Sequence, residues 1–207
     1  MPGPTGAAAG PDGRLRCPWA LGGLPGDRLL LDYHDEEWGR EVHGDRALFE
    51  RLCLEAFQSG LSWVTILRKR PAFRAAFAAF DPERVAAFDE ADEARLLADA
   101  GIVRNGAKVR AALANARALR ALQETGRSLD DLVWSHAPPP RPRPPTTADL
   151  AASSPESTAL ARALKGVGFR FVGPTTAHAL MQACGLVDDH LEECSVGPFR
   201  SAPAGRR

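Results

Sequence analysis

Hydrophobic and polar positions alternate at helical spacing along most of this sequence. Between positions 48 and 57, apolar residues recur every three or four positions, as in Leu48, Leu52 and Ala56. This spacing places them on one face of an α-helix. Segments rich in Ala, Leu, Glu and Arg repeat the pattern, whereas alternating β-branched runs, which indicate strands, are almost absent. We therefore predict an all-α fold.

Residues that commonly begin helices lie at the edges of these segments. Asp45, Asn105 and Asp81, the last followed by Pro82, are each placed to cap a helix. Toward the end of the chain, the spacing predicts a helical hairpin over about residues 158–185, with a tight connection in its middle. We expect a helix on each side of that connection.

The composition divides the chain into one folded region and three segments that look unable to pack. Residues 14–195 are predicted to form a single all-helical domain. Residues 1–13 are interpreted as a disordered tail, residues 137–145 (APPPRPRPP) as a stiff Pro-rich loop, and residues 196–207 as a flexible tail.

The charge of the whole chain gives no support to a nucleic-acid partner, because 26 Lys and Arg residues balance 26 Asp and Glu residues. A local excess lies between Arg104 and Arg127, where Glu124 is the single acid. This segment fits a phosphate-facing strip and a solvated helix face equally well. With no run of eighteen apolar residues and no recognisable secretion signal, we expect a cytoplasmic protein with no membrane partner.

Four cysteines in a chain without a secretion signal favour metal binding or ordinary burial over a disulfide scaffold. Two of them, Cys53 and Cys184, lie in apolar helical stripes and are interpreted as buried thiols.

The other two cysteines each have a histidine nearby in sequence. His190 and Cys194 are four residues apart, so a helical turn would place both on one face, as two corners of a zinc tetrahedron. Cys17 and His34 could supply the other two corners and join the ends of the folded region. The alternative is that Cys17 lies near the surface and His34 is a hydrogen-bonded interior residue.

Glu55 is an acid at the edge of a buried stripe, seven residues after Leu48. Burial there is costly unless the carboxylate is paired, and it would shift the pKa in the way seen for carboxylates of functional sites. A structural salt bridge to Arg51 or Arg68 would also explain an acidic residue at this position.

Three large aromatic residues could surround this carboxylate. Trp63 follows a helix stop at Gly60, and Tyr33 and Trp19 lie near the proposed metal ligands. Each of them could serve simply in core packing. Together with a carboxylate, three flat rings would form a slot suited to a nucleobase.

The connection of the predicted hairpin has the sequence GFRFVGPTT, from Gly168 to Thr176. Two glycines bracket the turn, and Pro174 opens the following helix, whose first backbone N–H groups can hold an anion such as a DNA phosphate. A plain packing corner between two helices is the alternative.

Four blocks of this sequence, in this order and spacing, resemble the bacterial 3-methyladenine DNA glycosylases of the constitutive type. The blocks are CPW (17–19), YHDEEWG (33–39), LCLEAFQSGLSW (52–63), and GFRFVG (168–173) continuing to VDDH (187–190). The resemblance covers about residues 16–194. It implies an all-α, helix-hairpin-helix glycosylase fold whose N- and C-terminal segments are joined by a zinc clasp.

The resemblance also implies roles for individual residues. One structural Zn²⁺ would be held by Cys17, His34, His190 and Cys194. The base pocket would consist of Glu55, Trp63, Tyr33 and Trp19. The hairpin, with Gly168, Gly173, Thr175 and Thr176, would hold double-stranded DNA containing alkylated bases, and we expect a monomer.

The implied activity is hydrolysis of the N-glycosidic bond of 3-methyladenine, releasing the free base without strand cleavage. A 3-methylated adenine is positively charged while attached to its sugar, so it departs as a neutral base without a general acid. The protein must supply base extrusion, an aromatic slot and a carboxylate, for which Glu55 is the candidate. A non-catalytic zinc-clasped module that binds alkylated or distorted DNA is the alternative.

Two residues leave parts of this interpretation open. Asp188 occupies the place of an aspartate that assists catalysis in related hairpin glycosylases, but it could instead cap a helix or orient His190, and we favour this structural role. Leu30 lies three residues before Tyr33, at a position where another aromatic would fit the pocket.

Overall fold

The computed structural model describes residues 5–23 and 27–197. Within these ranges the chain forms nine α-helices, and none of them is long and apolar enough to cross a membrane. The helices are α1 Leu29–Glu36, α2 Asp45–Gln58, α3 Trp63–Ala76, α4 Pro82–Ala86, α5 Glu90–Ala98, α6 Gly106–Glu124, α7 Leu129–Trp134, α8 Pro155–Gly166 and α9 Pro174–Ala183. Three short 3-10 helices lie at Pro18–Leu21, Ala78–Phe80 and Thr147–Asp149. The predicted all-α class is confirmed.

Two of the three predicted helix caps are confirmed. The Asp81 carboxylate accepts hydrogen bonds from the first N–H groups of α4, and the Asn105 side chain accepts from an N–H group at the start of α6. The prediction for Asp45 is wrong, because Gly44 is the cap and Asp45 is the first helical residue. Its carboxylate instead accepts from the Asp130 backbone N–H at 3.0 Å, and so ties α2 to α7.

The hydrophobic core is centred on α2, whose apolar residues from Leu48 to Phe57 are almost all fully buried. α2 packs against α3, α6, α7 and α9. Helix α9 therefore lies beside α2, and the hairpin of α8 and α9 is fixed to the body of the protein through it. This packing places residues 55 and 182, which are far apart in sequence, on neighbouring helices.

The predicted N-terminal tail is wrong for its described part. Two strands, β1 Ala8–Ala9 and β2 Leu15–Arg16, pair in an antiparallel ladder. Arg16 is almost fully buried because its guanidinium binds both Asp12 and Asp35. This ion-pair network fixes the segment in a way that its Gly- and Ala-rich composition does not indicate. Residues 1–4 of the predicted tail lie outside the described residues.

The C-terminal and Pro-rich segments also differ from the prediction that they cannot pack. Val196 is buried, while residues 198–207 lie outside the described part of the chain. In the Pro-rich segment (residues 137–145), Arg141 pairs with Asp189 at 2.7 Å and Arg143 pairs with Asp188 at 2.9 Å. These long-range ion pairs hold the Pro-rich segment across the residues that follow α9.

Three basic residues of the predicted strip contact groups of the protein itself. Lys108 is buried and its Nζ donates to the carbonyl oxygen of Phe57 at 2.9 Å, at the end of α2. Arg110 pairs with Glu93 at 3.0 Å, and Arg117 donates to the carbonyl oxygen of Phe88 at 2.7 Å. These three cations join α6 to its neighbours.

Candidate active site

An open cavity of about 310 Å³ lies at the junction of α1, α2, α3 and α9. All four pocket residues expected from the sequence line it. Its full lining is Trp19, Tyr33, Trp38, Glu55, Gln58, Trp63, Leu150, Ala179 and Gln182. The volume is near the lower end of the range for small-molecule sites, which suits a ligand as small as a purine base.

Aromatic rings form one continuous side of this cavity. The Tyr33 ring lies 5.3 Å from that of Trp63 and 6.3 Å from that of Trp19, measured between centroids. Trp38 extends the cluster, with its ring 5.1 Å from Trp19 in an edge-to-face arrangement. The electron-rich faces of such rings attract a cationic or electron-poor ligand.

Glu55 lies in this cavity without the salt bridge that its sequence position could have suggested. Arg51 pairs with Glu37 at 2.9 Å, and Arg68 pairs with Asp27. Among the described residues no hydrogen bond or ion pair to the Glu55 carboxyl is found, although the side chain is 7% exposed. Burial raises the pKa of Glu55 to about 8, and the nearby charge of Arg51 only partly opposes this.

A raised pKa of a buried carboxyl makes stability depend on pH. A carboxyl with a higher pKa in the folded chain binds its proton more tightly when folded, so it stabilises the fold less as the proton is lost. We expect the contribution of Glu55 to the unfolding free energy to fall, by a few kcal/mol, as the pH rises from about 4.5 to about 8.

Thermal denaturation of the wild type and Glu55→Gln, at about pH 5 and about pH 9, measures this effect. The Gln side chain carries no titrating proton, so the variant should become the more stable protein at the higher pH. A stability difference that is the same at both pH values would contradict the expectation.

A second cluster lies next to the aromatic side of the pocket. Ligand atoms of Cys17, His34 and Cys194, all three buried, lie within 4.8 Å of one another. The distance from Cys194 Sγ to His34 Nε2 is 3.6 Å. The fourth predicted ligand, His190, is outside this group of atoms, but its ring lies 5.0 Å from that of His34. Two thiols and one or two imidazoles are a donor set that zinc prefers.

Both histidines are oriented by a neighbouring carboxylate. His34 Nδ1 lies 2.8 Å from Asp35 Oδ1, and His190 Nδ1 lies 2.8 Å from Asp188 Oδ1. A metal-binding imidazole is commonly fixed in this way at one nitrogen, which leaves the other nitrogen for the metal. Asp188 is not among the described residues that line the pocket, so its contacts favour the orienting role.

Each of these aspartates is in turn held by an arginine, and one of the two arginines, Arg143, belongs to the Pro-rich segment. Arg16 Nη2 lies 2.9 Å from Asp35 Oδ2, and Arg143 Nε lies 2.9 Å from Asp188 Oδ2. The same arrangement therefore supports the cluster from the N-terminal side and from the C-terminal side. The contact between the two thiols lowers the pKa of Cys194 and raises the pKa of Cys17, as expected where two adjacent thiols share one proton.

The connection between α8 and α9 forms the predicted tight turn. The buried Asn115 side chain donates to the Arg170 carbonyl oxygen at 3.1 Å and accepts from the Arg170 N–H at 2.7 Å. Gly173 is the N-cap of α9, and no side chain of the described residues caps the first N–H groups of this helix. Thr175 is exposed and Thr176 half-buried. The start of α9 can therefore accept an anion.

The two glycines of this turn have different structural requirements. Gly168 has a φ of +98°, which side-chain-bearing residues rarely adopt. Gly173 has an ordinary φ of −101°, and an added Cβ would meet no atom within 4 Å. The backbone conformation thus explains the glycine at 168, whereas among the described residues nothing requires a glycine at 173, where it serves as the N-cap of α9.

Comparison with known proteins decides the family. Residues 23–197 match the family described as methyladenine glycosylase. The chain belongs to the methyladenine glycosylase family. DNA-3-methyladenine glycosylase 1 of Escherichia coli (strain K12) is 44% identical over 185 residues, which cover 88% of this chain and 97% of that protein.

Solved structures of this family have the same fold. A crystal structure of 3-methyladenine DNA glycosylase I superimposes with a TM-score of 0.83 at 45% identity, covering 88% of this chain and all (100%) of that one. A variant of 3-methyladenine DNA glycosylase I in complex with 3-methyladenine gives a TM-score of 0.79 at 34% identity, covering 84% and 94% of the two chains.

Five residues lining the pocket of this family member were not expected from the sequence. Gln58 lies three residues after Glu55 on α2, so its helical spacing could have indicated a shared face. Trp38 lies five residues after Tyr33 in the YHDEEWG block, so it too had a local signal. The remaining three have none, because chain segments far from Glu55 in the sequence bring them in; they are Leu150, Ala179 and Gln182. Leu30 is buried behind the pocket against Tyr33 and Leu67, so it supports the aromatic side rather than lining it.

Proposed function

We propose that this protein hydrolyses the N-glycosidic bond of 3-methyladenine in alkylated double-stranded DNA and releases the free base. The observation that carries the proposal is the Glu55 carboxyl, buried in an aromatic pocket without an ion partner from the described residues. The names of the relatives, and the 3-methyladenine complex of one of them, point to the same ligand.

The pocket supplies interactions suited to an extruded alkylated adenine. The base is drawn out of the duplex stack and enters beside Tyr33 and Trp63, whose ring faces attract its positive charge. Trp63 also brings an indole N–H that is buried without a hydrogen-bond partner among the described residues. A ring nitrogen of the base can accept from this N–H, while Glu55 complements the polar edge and the charge.

The reaction needs few groups because the leaving base is already activated. The electrons of the bond between the sugar carbon and the base move to the purine, which neutralises its positive charge. Water adds to the sugar carbon and gives up a proton, through an oxocarbenium-like transition state that nearby negative charges stabilise. None of the described residues that line the pocket is a lysine, so we propose no covalent imine and no strand cleavage.

We propose that the start of α9 holds a DNA phosphate through Gly173, Thr175 and Thr176. The variant Gly173→Asp tests this role, because aspartate is a favourable helix cap and its charge repels phosphate. We expect unchanged or higher thermal stability and a DNA affinity at least about tenfold lower, measured by fluorescence anisotropy at fixed salt.

The matched control for this variant is Ser154→Asp. Ser154 caps α8, at the other end of the same hairpin, so the control adds the same charge to the same type of helix position. We expect its DNA affinity to remain within about twofold of the wild type. Equal losses in the two variants would argue against a specific phosphate contact at Gly173.

We propose that the Cys17, His34 and Cys194 cluster binds one structural Zn²⁺, with His190 as the fourth ligand. Zinc would supply a crosslink between the two ends of the folded region. Since Tyr33 immediately precedes His34 in α1, the metal would also fix the aromatic side of the pocket. We further propose that the protein acts as a monomer in the cytoplasm.

Release of free bases from DNA treated with a methylating agent tests the proposed function directly. We expect chromatography to detect free 3-methyladenine, and gel electrophoresis to detect intact strands until the abasic sites are cleaved chemically. A protein that binds the alkylated DNA but releases no base would instead favour the alternative, a non-catalytic module for damaged DNA.

A further inference from the structure

Gln182 forms part of the pocket wall and is fixed in one orientation from behind. Its Nε2 donates to Asp189 Oδ2 at 2.8 Å. The Asp189 side chain is 1% exposed, and its other oxygen receives Arg141 Nη2 at 2.7 Å. His178 Nε2 lies a further 3.3 Å from Asp189 Oδ2. An ionised carboxylate can only accept hydrogen bonds, so this pairing determines which end of the amide faces it.

We propose that Gln182 is a specificity-determining residue of the pocket, oriented by Asp189 so that its Oε1 accepts a hydrogen bond from the amino group of an adenine lesion. The inference rests on the proposed function, because it concerns the base held in the same pocket. It assigns Asp189 and Arg141 as positioning residues, which act on the base through Gln182.

The chemistry of the two purines explains why the orientation matters. Adenine has an amino group at carbon 6, which donates, whereas guanine has a carbonyl oxygen there, which accepts. A freely rotating amide could satisfy either base by presenting its oxygen or its nitrogen. With Nε2 bound to Asp189, turning the amide toward guanine would break that hydrogen bond and leave a buried carboxylate facing an oxygen. Discrimination therefore comes from the penalty on guanine as well as from the contact with adenine.

The same network gives the Pro-rich segment (residues 137–145) a role in the site. Arg141 belongs to this segment, and its guanidinium neutralises the buried Asp189. Without that charge, the carboxylate would be costly to bury. The segment thus reaches the base pocket through two hydrogen bonds, from Arg141 to Asp189 and from Gln182 to Asp189.

The variant Gln182→Met tests the inference, because Met keeps the length of the side chain and removes its hydrogen bonds. Free 3-methyladenine and 3-methylguanine released from methylated DNA are measured together. We expect the ratio of their kcat/KM values to fall by roughly tenfold, mainly through slower release of 3-methyladenine. The near-isosteric Asp189→Asn, which lets the amide turn, should lower the same ratio by raising the relative release of 3-methylguanine.

The double variant separates positioning from simple packing. If Asp189 acts through Gln182, adding Asp189→Asn to Gln182→Met should change the ratio little further. The matched control is Gln123→Met, which removes a similar amide-to-carboxylate bond, from Gln123 Nε2 to Asp45 at 2.6 Å, outside the pocket. We expect it to alter stability without altering the ratio.

Two outcomes would overturn the inference: an unchanged ratio in Gln182→Met, which includes equal losses for both bases, or additive effects in the double variant. Binding of the free bases, measured by calorimetry, separates this failure from failure of the proposed function. If the wild type releases no base, the proposed function fails. A preference for free 3-methyladenine over 3-methylguanine that Gln182→Met abolishes would still support the inference, and its persistence would refute it.

Discussion

Replacing Glu55 by Gln should lower the rate of 3-methyladenine release by at least about 100-fold. Gln keeps the size of the side chain and one acceptor oxygen, so the loss measures the contribution of the negative charge. The carboxylate complements a base that is cationic until the glycosidic bond breaks, and it does so in a buried site where electrostatic interactions are strong. Single-turnover measurements of free base, with enzyme in excess over methylated DNA, report this step.

The pH profile of the same two proteins gives an independent check. Because burial raises the pKa of Glu55 to about 8, only part of the free enzyme is ionised near neutral pH. The kcat/KM of the wild type should therefore rise with pH toward that value, since the ionised form attracts the cationic base. Glu55→Gln should lack this rise.

Glu50→Gln is the matched control for the loss of charge. Glu50 lies in the same helix and pairs with Arg74 at 2.8 Å, away from the pocket. We expect base release within about threefold of the wild type, because this ion pair lies away from the pocket and its arginine is half exposed. Excision at the wild-type rate by Glu55→Gln would exclude the role assigned to Glu55, and loss of fold in that variant would conflict with its expected stability at high pH.

Local signals in the sequence predicted the helices well, because helix starts and apolar faces depend on neighbouring residues. Asp81 and Asn105 are caps as predicted. Asp45 is not, since its carboxylate is used by α7 and by Gln123, both distant in sequence. A cap residue and a residue that joins two helices look the same in one segment of sequence, and only the tertiary contact distinguishes them.

Residue chemistry and the family resemblance predicted part of the site. Glu55, Trp63, Tyr33 and Trp19 meet in one pocket as expected. Gln182 was missed because an amide in a helix has no distinctive pattern, and its role depends on Asp189 beyond the end of α9. The Pro-rich composition of residues 137–145 indicated a loop but not the ion pairs of its two arginines. The carboxylate partners of these arginines lie far away in the sequence, at separations of 45 and 48 residues.

The structure supports the predicted zinc clasp more strongly for three of its residues than for the fourth, His190. Three of the four predicted ligands are adjacent, and both histidines have an orienting carboxylate. His190 is held near the cluster by Asp188, but its nitrogen is not within the group of three ligand atoms. Experiments on the metal must therefore establish both its presence and the number of its ligands.

Removing one cysteine ligand should have the largest effect on stability. We expect purified wild type to contain one zinc per chain by elemental analysis, and Cys194→Ala to contain none and to melt at least about 10 °C lower. The physical reason is that the cluster joins chain ends that are far apart in sequence; the Leu191 N–H already donates to Cys17 Sγ across a separation of 174 residues. A crosslink of that length greatly restricts the unfolded chain.

Two further variants make this prediction specific. Cys53→Ala removes a buried thiol from the core and should keep its zinc, with only the modest destabilisation of a small cavity. His190→Ala determines the ligand number, because four-ligand binding predicts loss of zinc and three-ligand binding predicts its retention. If the wild type is free of metal and as stable after chelator treatment as before, the cluster is a buried network of thiols and imidazoles. The aromatic side of the pocket would then be fixed by the two arginine–aspartate–histidine chains and by the packing of Tyr33 against Leu30 and Leu67.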